Sequence, residues 1–102
     1  RRARAWAEIY DGHSLIVLLR ASIRHDITPK LGRIKARVLY VLSRTDRIFP
    51  PSIAPGVMAA LAKAGVAAEY VEIDTERGHA YAGPDAPKWA PRLKAFMDGL
   101  PG

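Results

Sequence analysis

Asp46 and His79 are the two residues whose types and placement suit general acid–base chemistry. An imidazole takes up and returns a proton near neutral pH, and a carboxylate bonded to one ring nitrogen fixes its tautomer while the other nitrogen works. The two residues stand 33 positions apart, a separation that fits one crossover helix between two neighbouring loops. Each also has a plain structural reading. An aspartate in a turn after a strand commonly closes an Asx turn, and a Gly-His in a loop is commonly a surface or satisfied histidine. What raises the pair above its members is order: aspartate then histidine, on successive strand ends, ahead of a terminal amphipathic helix.

The segments that must position them are legible from hydrophobic periodicity. Val38-Leu39-Tyr40-Val41-Leu42 is a continuous apolar run, expected as a strand buried on both faces of a parallel sheet. It ends at the polar turn Ser43-Arg44-Thr45-Asp46, and Phe49-Pro50-Pro51-Ser52 then forces extended or turn backbone, because a proline disfavours the helical region for the residue before it. From Pro55 to Ala64, Val57, Met58 and Leu61 fall on one helical stripe, with Gly65 as a C′ residue able to take positive φ. Ala68 to Ile73 reads as a second strand, Gly78 to Pro87 as a loop. Trp89, Leu93, Phe96, Met97 and Leu100 recur at the spacing of an amphipathic helix packed on a core.

Strand, helix, strand, helix favours a parallel sheet, and in open parallel sheets functional groups gather at the C-terminal ends of the strands. Asp46 follows Leu42 and His79 follows Ile73 at that end. Upstream, Leu15 to Ile23 is expected as a buried helix with Asp11 or Ser14 as N-cap, and Ala3 to Ile9 as another helix with Trp6 packed. The fold class is therefore α/β: connecting helices over residues 1–30, then two βα units over 31–102. Two strands are too few for a stable sheet, where roughly three or more are needed. With an opening of Arg1-Arg2-Ala3-Arg4 in place of Met, the chain is expected to be a piece of a longer protein.

Composition narrows the function classes. The 102 residues are 49% hydrophobic and 25% charged, with no cysteine, so thiolate metal sites, disulfides and a cysteine nucleophile are excluded. No apolar run approaches the roughly 18 residues of a membrane span. The formal charge of +6 lies wholly in residues 1–37, which hold nine Lys/Arg against three acids. These cations alternate with Leu, Ile and Val and accompany no nucleic-acid motif, so they read as solvated helix faces. A basic, non-catalytic module for an anionic partner remains the alternative from another class, marked by salt-sensitive binding. His13, His25 and His79 lack metal-ligand spacing, and no glycine-rich phosphate loop is present.

Leu31-Gly32-Arg33-Ile34-Lys35-Ala36-Arg37-Val38-Leu39, Asp46-Arg47-Ile48-Phe49-Pro50-Pro51, Glu69-Tyr70-Val71-Glu72-Ile73 and Gly78-His79 together resemble the C-terminal third of the homoserine O-acetyltransferase family of α/β-hydrolases. Tyr10 to Leu15, Arg20-Ala21 and His25-Asp26 resemble the helical lid-to-strand passage of the same family. Asp46 followed by Phe49-Pro50-Pro51 is the most specific element. The resemblance implies the C-terminal portion of an α/β-hydrolase fold, with lid helices before the last two βα units. It implies a ping-pong acyltransferase with a Ser-His-Asp triad, in which Asp46 orients His79 and His79 moves the proton. No resident cofactor is implied; acetyl-CoA or a similar thioester is the acyl donor, and small molecules are the partners. A cytoplasmic enzyme, a homodimer when complete, with neither nucleic acid nor membrane as partner, is the corresponding expectation. Ala80-Tyr81-Ala82-Gly83 departs from the acidic residue and Phe-Leu that the family carries after Gly-His. Another hydroxyl acceptor, or water in a carboxylic-ester hydrolase, fits the residues equally well.

The nucleophile is expected upstream of Arg1. Gly12-His13-Ser14-Leu15 imitates a nucleophile elbow, but no apolar strand precedes it, Ile16 stands where glycine is needed, and too few residues separate Ser14 from Asp46 for another βα unit. Ser22, Ser43 and Ser52 have no glycine-flanked context.

Overall fold

Residues 2–101 are described by a computed structural model of the chain. Helices α1 (Arg2–Ile9) and α2 (Gly12–Arg24) and a 3-10 segment at Thr28–Arg33 lead into strand β1 (Val38–Ser43). A 3-10 turn at Pro51–Ile53 runs into α3 (Ala54–Lys63), then come β2 (Ala68–Ile73), a 3-10 turn at Gly78–Ala80 and α4 (Ala86–Asp98). The architecture is mixed helix and strand, and the strands are parallel as the strand–helix–strand order requires. Val38 pairs with Ala68 and Ser43 with Ile73, so both strands end at the same level.

The return helix stops sharply for a local reason. Gly65 has φ +77, the left-handed region that a Cβ disfavours, and its N–H reaches the Ala62 carbonyl while Val66 N–H reaches the Leu61 carbonyl. That pair of bonds closes a Schellman motif and satisfies carbonyls the helix would leave unpaired. Leu61, Ala54 and Val66 are thereby laid with Leu42 and Ile73 as the buried apolar core. Four polar residues are also buried: Ser43, Asp46, Thr75 and Asp85. Three of these follow or end the strands, so the core grades into a polar cluster at their C-terminal ends. Arg37 ties α4 back to the sheet: its guanidinium donates to the Gly99 carbonyl at 2.9 Å and to Glu69 at 2.8 Å, and lies over the Phe96 ring.

Burial departs from expectation in three places. In β1 only Leu42 and Ser43 are buried and positions 38–41 are half-buried, because among the described residues the strand has one neighbour in a two-stranded sheet. Helix α2 forms where periodicity placed it, capped by Asp11 with Ser14 as its bonding partner. Yet Leu15, Ile16, Val17, Leu18, Leu19 and Ile23 are 41–75% exposed. Helix formation there is local, through cap and composition, whereas burial needs a partner layer that residues 2–101 do not supply. Trp6 is likewise exposed, stacking on Tyr10 with ring centroids 4.0 Å apart. The third case is α4, which buries no residue completely; Phe96 and Trp89 are half-buried, Met97 is exposed and Leu100 lies beyond the helix end. No helix among the described residues is long and apolar enough to cross a membrane.

Gly65→Ala should cost about 1 kcal/mol, the penalty of a left-handed Cβ. Nothing lies within 4 Å of the added methyl, so no packing change offsets or adds to that cost. Urea denaturation reads it as a lowered midpoint; an unchanged midpoint would show that the turn relaxes to another conformation.

Candidate active site

Equal strand lengths in register bring the two expected residues together. His79 Nδ1 lies 2.9 Å from Asp46 Oδ2. The Asp46 side chain is 3% exposed and that of His79 is 54% exposed, so the carboxylate is enclosed and the ring stands half in solvent. The two oxygens of Asp46 have different partners. Oδ1 accepts the amides of Ile48 at 2.8 Å and Phe49 at 3.0 Å, which is an Asx-type turn, and leaves Oδ2 for the imidazole.

The Phe49-Pro50-Pro51 run has a physical part in this. Prolines carry no N–H, so the backbone donors available to Asp46 end at Phe49, and the chain then turns away through the 3-10 segment. The Phe49 ring lies against the His79 ring with centroids 5.5 Å apart at 44°, so one residue serves the carboxylate with its amide and the imidazole with its side chain.

Burial pushes the Asp46 carboxyl up, but the hydrogen bonds from His79, Phe49 and Ile48 outweigh it and hold the group below its ordinary value. Asp46 is therefore ionised at neutral pH. An ionised carboxylate only accepts, so the proton on a neutral His79 sits on Nδ1 and the Nε2 lone pair is left free. That is the tautomer of a general base. Tyr81 lies within electrostatic reach of the same carboxylate. Its hydroxyl donates to the Val41 carbonyl at 3.4 Å, and burial together with the Asp46 charge pushes the phenol up.

Two further links join the loops. Arg44 donates to Asp74 at 2.6 Å and also to Glu76. Thr45 Oγ1 accepts the Gly78 amide at 3.0 Å and donates to the Thr75 carbonyl at 2.7 Å. Thr75 in turn donates to the buried Asp85 at 2.5 Å, and Asp85 faces Arg77 at 3.4 Å. Thr45, Thr75 and Asp85 match no motif or hydrophobic period in the sequence. One signal was present: Thr45 and Gly78 are 33 residues apart, the same separation as Asp46 and His79.

Other candidates remain apart from this pair. Ser14 spends its hydroxyl on Asp11 at 2.7 Å inside the first turn of α2. Ser43 is fully buried and its hydroxyl has no partner among the described residues. No group of three His, Asp or Glu side chains among the described residues could hold a metal ion.

The chain is similar over 97% of its length to a homoserine O-succinyltransferase of Alkalilimnicola ehrlichii, at 22% identity. It is 31% identical, over the same share, to a homoserine O-acetyltransferase of Symbiobacterium thermophilum. A probable acyltransferase of Methanothermobacter thermautotrophicus is 38% identical over 70% of the chain. All three names describe acyltransferases. The chain spans 28% of the first and second of these relatives and 21% of the third, about a quarter of their length. No family model matches the chain, and no solved structure matches it.

Acid should loosen the site in a predictable direction. A carboxylate with a depressed folded value stabilises the protein above its unfolded value, 3.8, and that contribution is lost as pH falls through the folded value. Stability measured by denaturation should thus hold from neutral pH down to the ordinary carboxylate range and fall below it. Asp46→Asn should flatten part of that acid limb; an acid limb identical in both proteins would show that Asp46 is not held ionised by these bonds.

Proposed function

We propose that this chain is the C-terminal part of an α/β-hydrolase-fold acyltransferase resembling homoserine acyltransferases, and that Asp46 and His79 are the acid and base of its Ser-His-Asp triad. The observation that carries the reading is the hydrogen bond from His79 Nδ1 to the enclosed, ionised Asp46, which leaves Nε2 free beside solvent. The names of the relatives support the reaction class, and the chain's share of their length leaves ample sequence to supply the serine from outside residues 1–102.

The chemistry then balances with one proton carrier. A serine Oγ attacks the carbonyl of a thioester donor while His79 Nε2 takes its proton, and the imidazolium is stabilised by Asp46. His79 returns the proton to the departing thiol as the C–S bond breaks, leaving an acyl-serine. A hydroxyl acceptor attacks that ester, gives its proton to Nε2, and the serine recovers it on release. Acetyl-CoA and succinyl-CoA are the donors the relatives' names suggest, and homoserine the first acceptor to test. Ala80, next to His79, brings no charge to meet an acceptor ammonium, so other hydroxyl compounds and water belong in the same screen.

In the complete protein Asp46→Asn keeps the turn, since the amide oxygen can still accept from Ile48 and Phe49, but presents the wrong partner to Nδ1. It should lower kcat by about 10⁴-fold, and His79→Ala by at least as much, with the fold intact by circular dichroism. Turnover within roughly threefold of wild type in His79→Ala would end the reading.

A further inference from the structure

Beside Asp46 and His79, a threonine hydroxyl and a buried polar pair, Thr75 and Asp85, form a second set of bonds between the two loops. Thr45 precedes Asp46 and bonds the amide of Gly78, which precedes His79. The Thr45–Gly78 and Asp46–His79 bonds are therefore adjacent rungs between the same two loops, at 3.0 and 2.9 Å. Gly78 has φ +57, and a Cβ there would stand 3.5 Å from the Thr45 carbonyl, so the loops are also close at the backbone. The hydroxyl's own proton goes to the Thr75 carbonyl at 2.7 Å, which uses both its donor and its acceptor capacity across the gap. From the far side Thr75 is held by its 2.5 Å bond to Asp85 and accepts the Arg77 amide at 3.1 Å. Thr75 and Asp85 are 4% and 7% exposed, so neither bond is exchanged for water without cost.

Resting on the triad reading, we propose that Thr45 is a positioning residue: its hydroxyl, braced by Thr75 and Asp85, sets the distance between Asp46 and His79. The Asp46 carboxylate cannot do this alone. One of its oxygens is committed to the turn, and the half-exposed imidazole rides on a short loop that Arg44 holds further back at Asp74 and Glu76, whereas the Thr45 rung holds Gly78, the residue next to His79. Losing the rung lets Gly78 withdraw and carries His79 with it. A displacement on the order of 1 Å in a catalytic group can cost about 10²-fold in rate.

The test compares Thr45→Val, which keeps shape and loses both bonds, with Thr45→Ser, which keeps the hydroxyl, in the complete protein. Thr45→Val should lower kcat by roughly 10²-fold with KM little changed, and Thr45→Ser should restore most of the rate. A second readout does not involve substrate: the low-field proton resonance of His79 Nδ1, identified by its loss in His79→Ala, should broaden or vanish in Thr45→Val and persist in Thr45→Ser. Thr45→Val with wild-type rate and an unchanged Nδ1 resonance would overturn the proposal. Were Asp46→Asn fully active while Thr45→Val still erased the resonance, the positioning role would stand and the triad reading would fall. If Thr45→Val does not fold, amide hydrogen exchange of Gly78 in the wild type decides: slowing of at least about tenfold over an open loop amide supports the rung, and unprotected exchange refutes it.

Discussion

Parallel pairing of two six-residue strands in a single register is the constraint on which everything else depends. Because Ser43 meets Ile73, the chain leaves both strands at one level, and three consecutive residues then reach across. Arg44 takes Asp74 and Glu76, Thr45 takes Thr75 and Gly78, and Asp46 takes His79. A slip of one residue would turn every strand side chain to the opposite face and would unpair all three links together. Asp46 and Thr75 are buried just past Leu42 and Ile73, the last apolar core residues of the two strands. Desolvation makes the bonds of Asp46 and Thr75 matter more than the exposed Arg44 pairs, since an unpaired buried polar group is costly.

The two halves of the chain differ in how they are stabilised. Residues 38–98 hold the sheet, its crossover helix and the polar cluster, whereas every residue from 2 to 30 is exposed. Helix α2 has a well-formed cap and an apolar face without a cover among the described residues. The radius of gyration, 17.1 Å, exceeds the roughly 13 Å of a compact domain of this size, as a projecting helical arm requires.

The strands, their helices and the meeting of Asp46 with His79 were legible because they follow from short-range rules. Val38 to Leu42 is an apolar run with β-branched and aromatic members, Gly65 ends a helix that cannot continue through it, and Asp46 and His79 each fall a few residues past a strand. Burial was not legible, because periodicity shows which face is apolar and not whether a partner covers it; Trp6, Leu18 and Met97 are exposed for that reason. The threonine rung escaped for a different cause. A hydroxyl bonding across loops leaves no periodic trace, and only the spacing it shares with Asp46 and His79 could have marked it. Asp46 itself shows that closing a turn and bonding an imidazole need not compete when a carboxylate has two oxygens.

The most direct test of the Asp46–His79 assignment is intact-protein mass spectrometry of the complete protein after brief mixing with acetyl-CoA or succinyl-CoA, in the wild type and in His79→Ala. A single acyl group on a serine of the wild type, absent from the variant, is the expected result. An acyl group carried by another residue type, or formed equally well without His79, would contradict it.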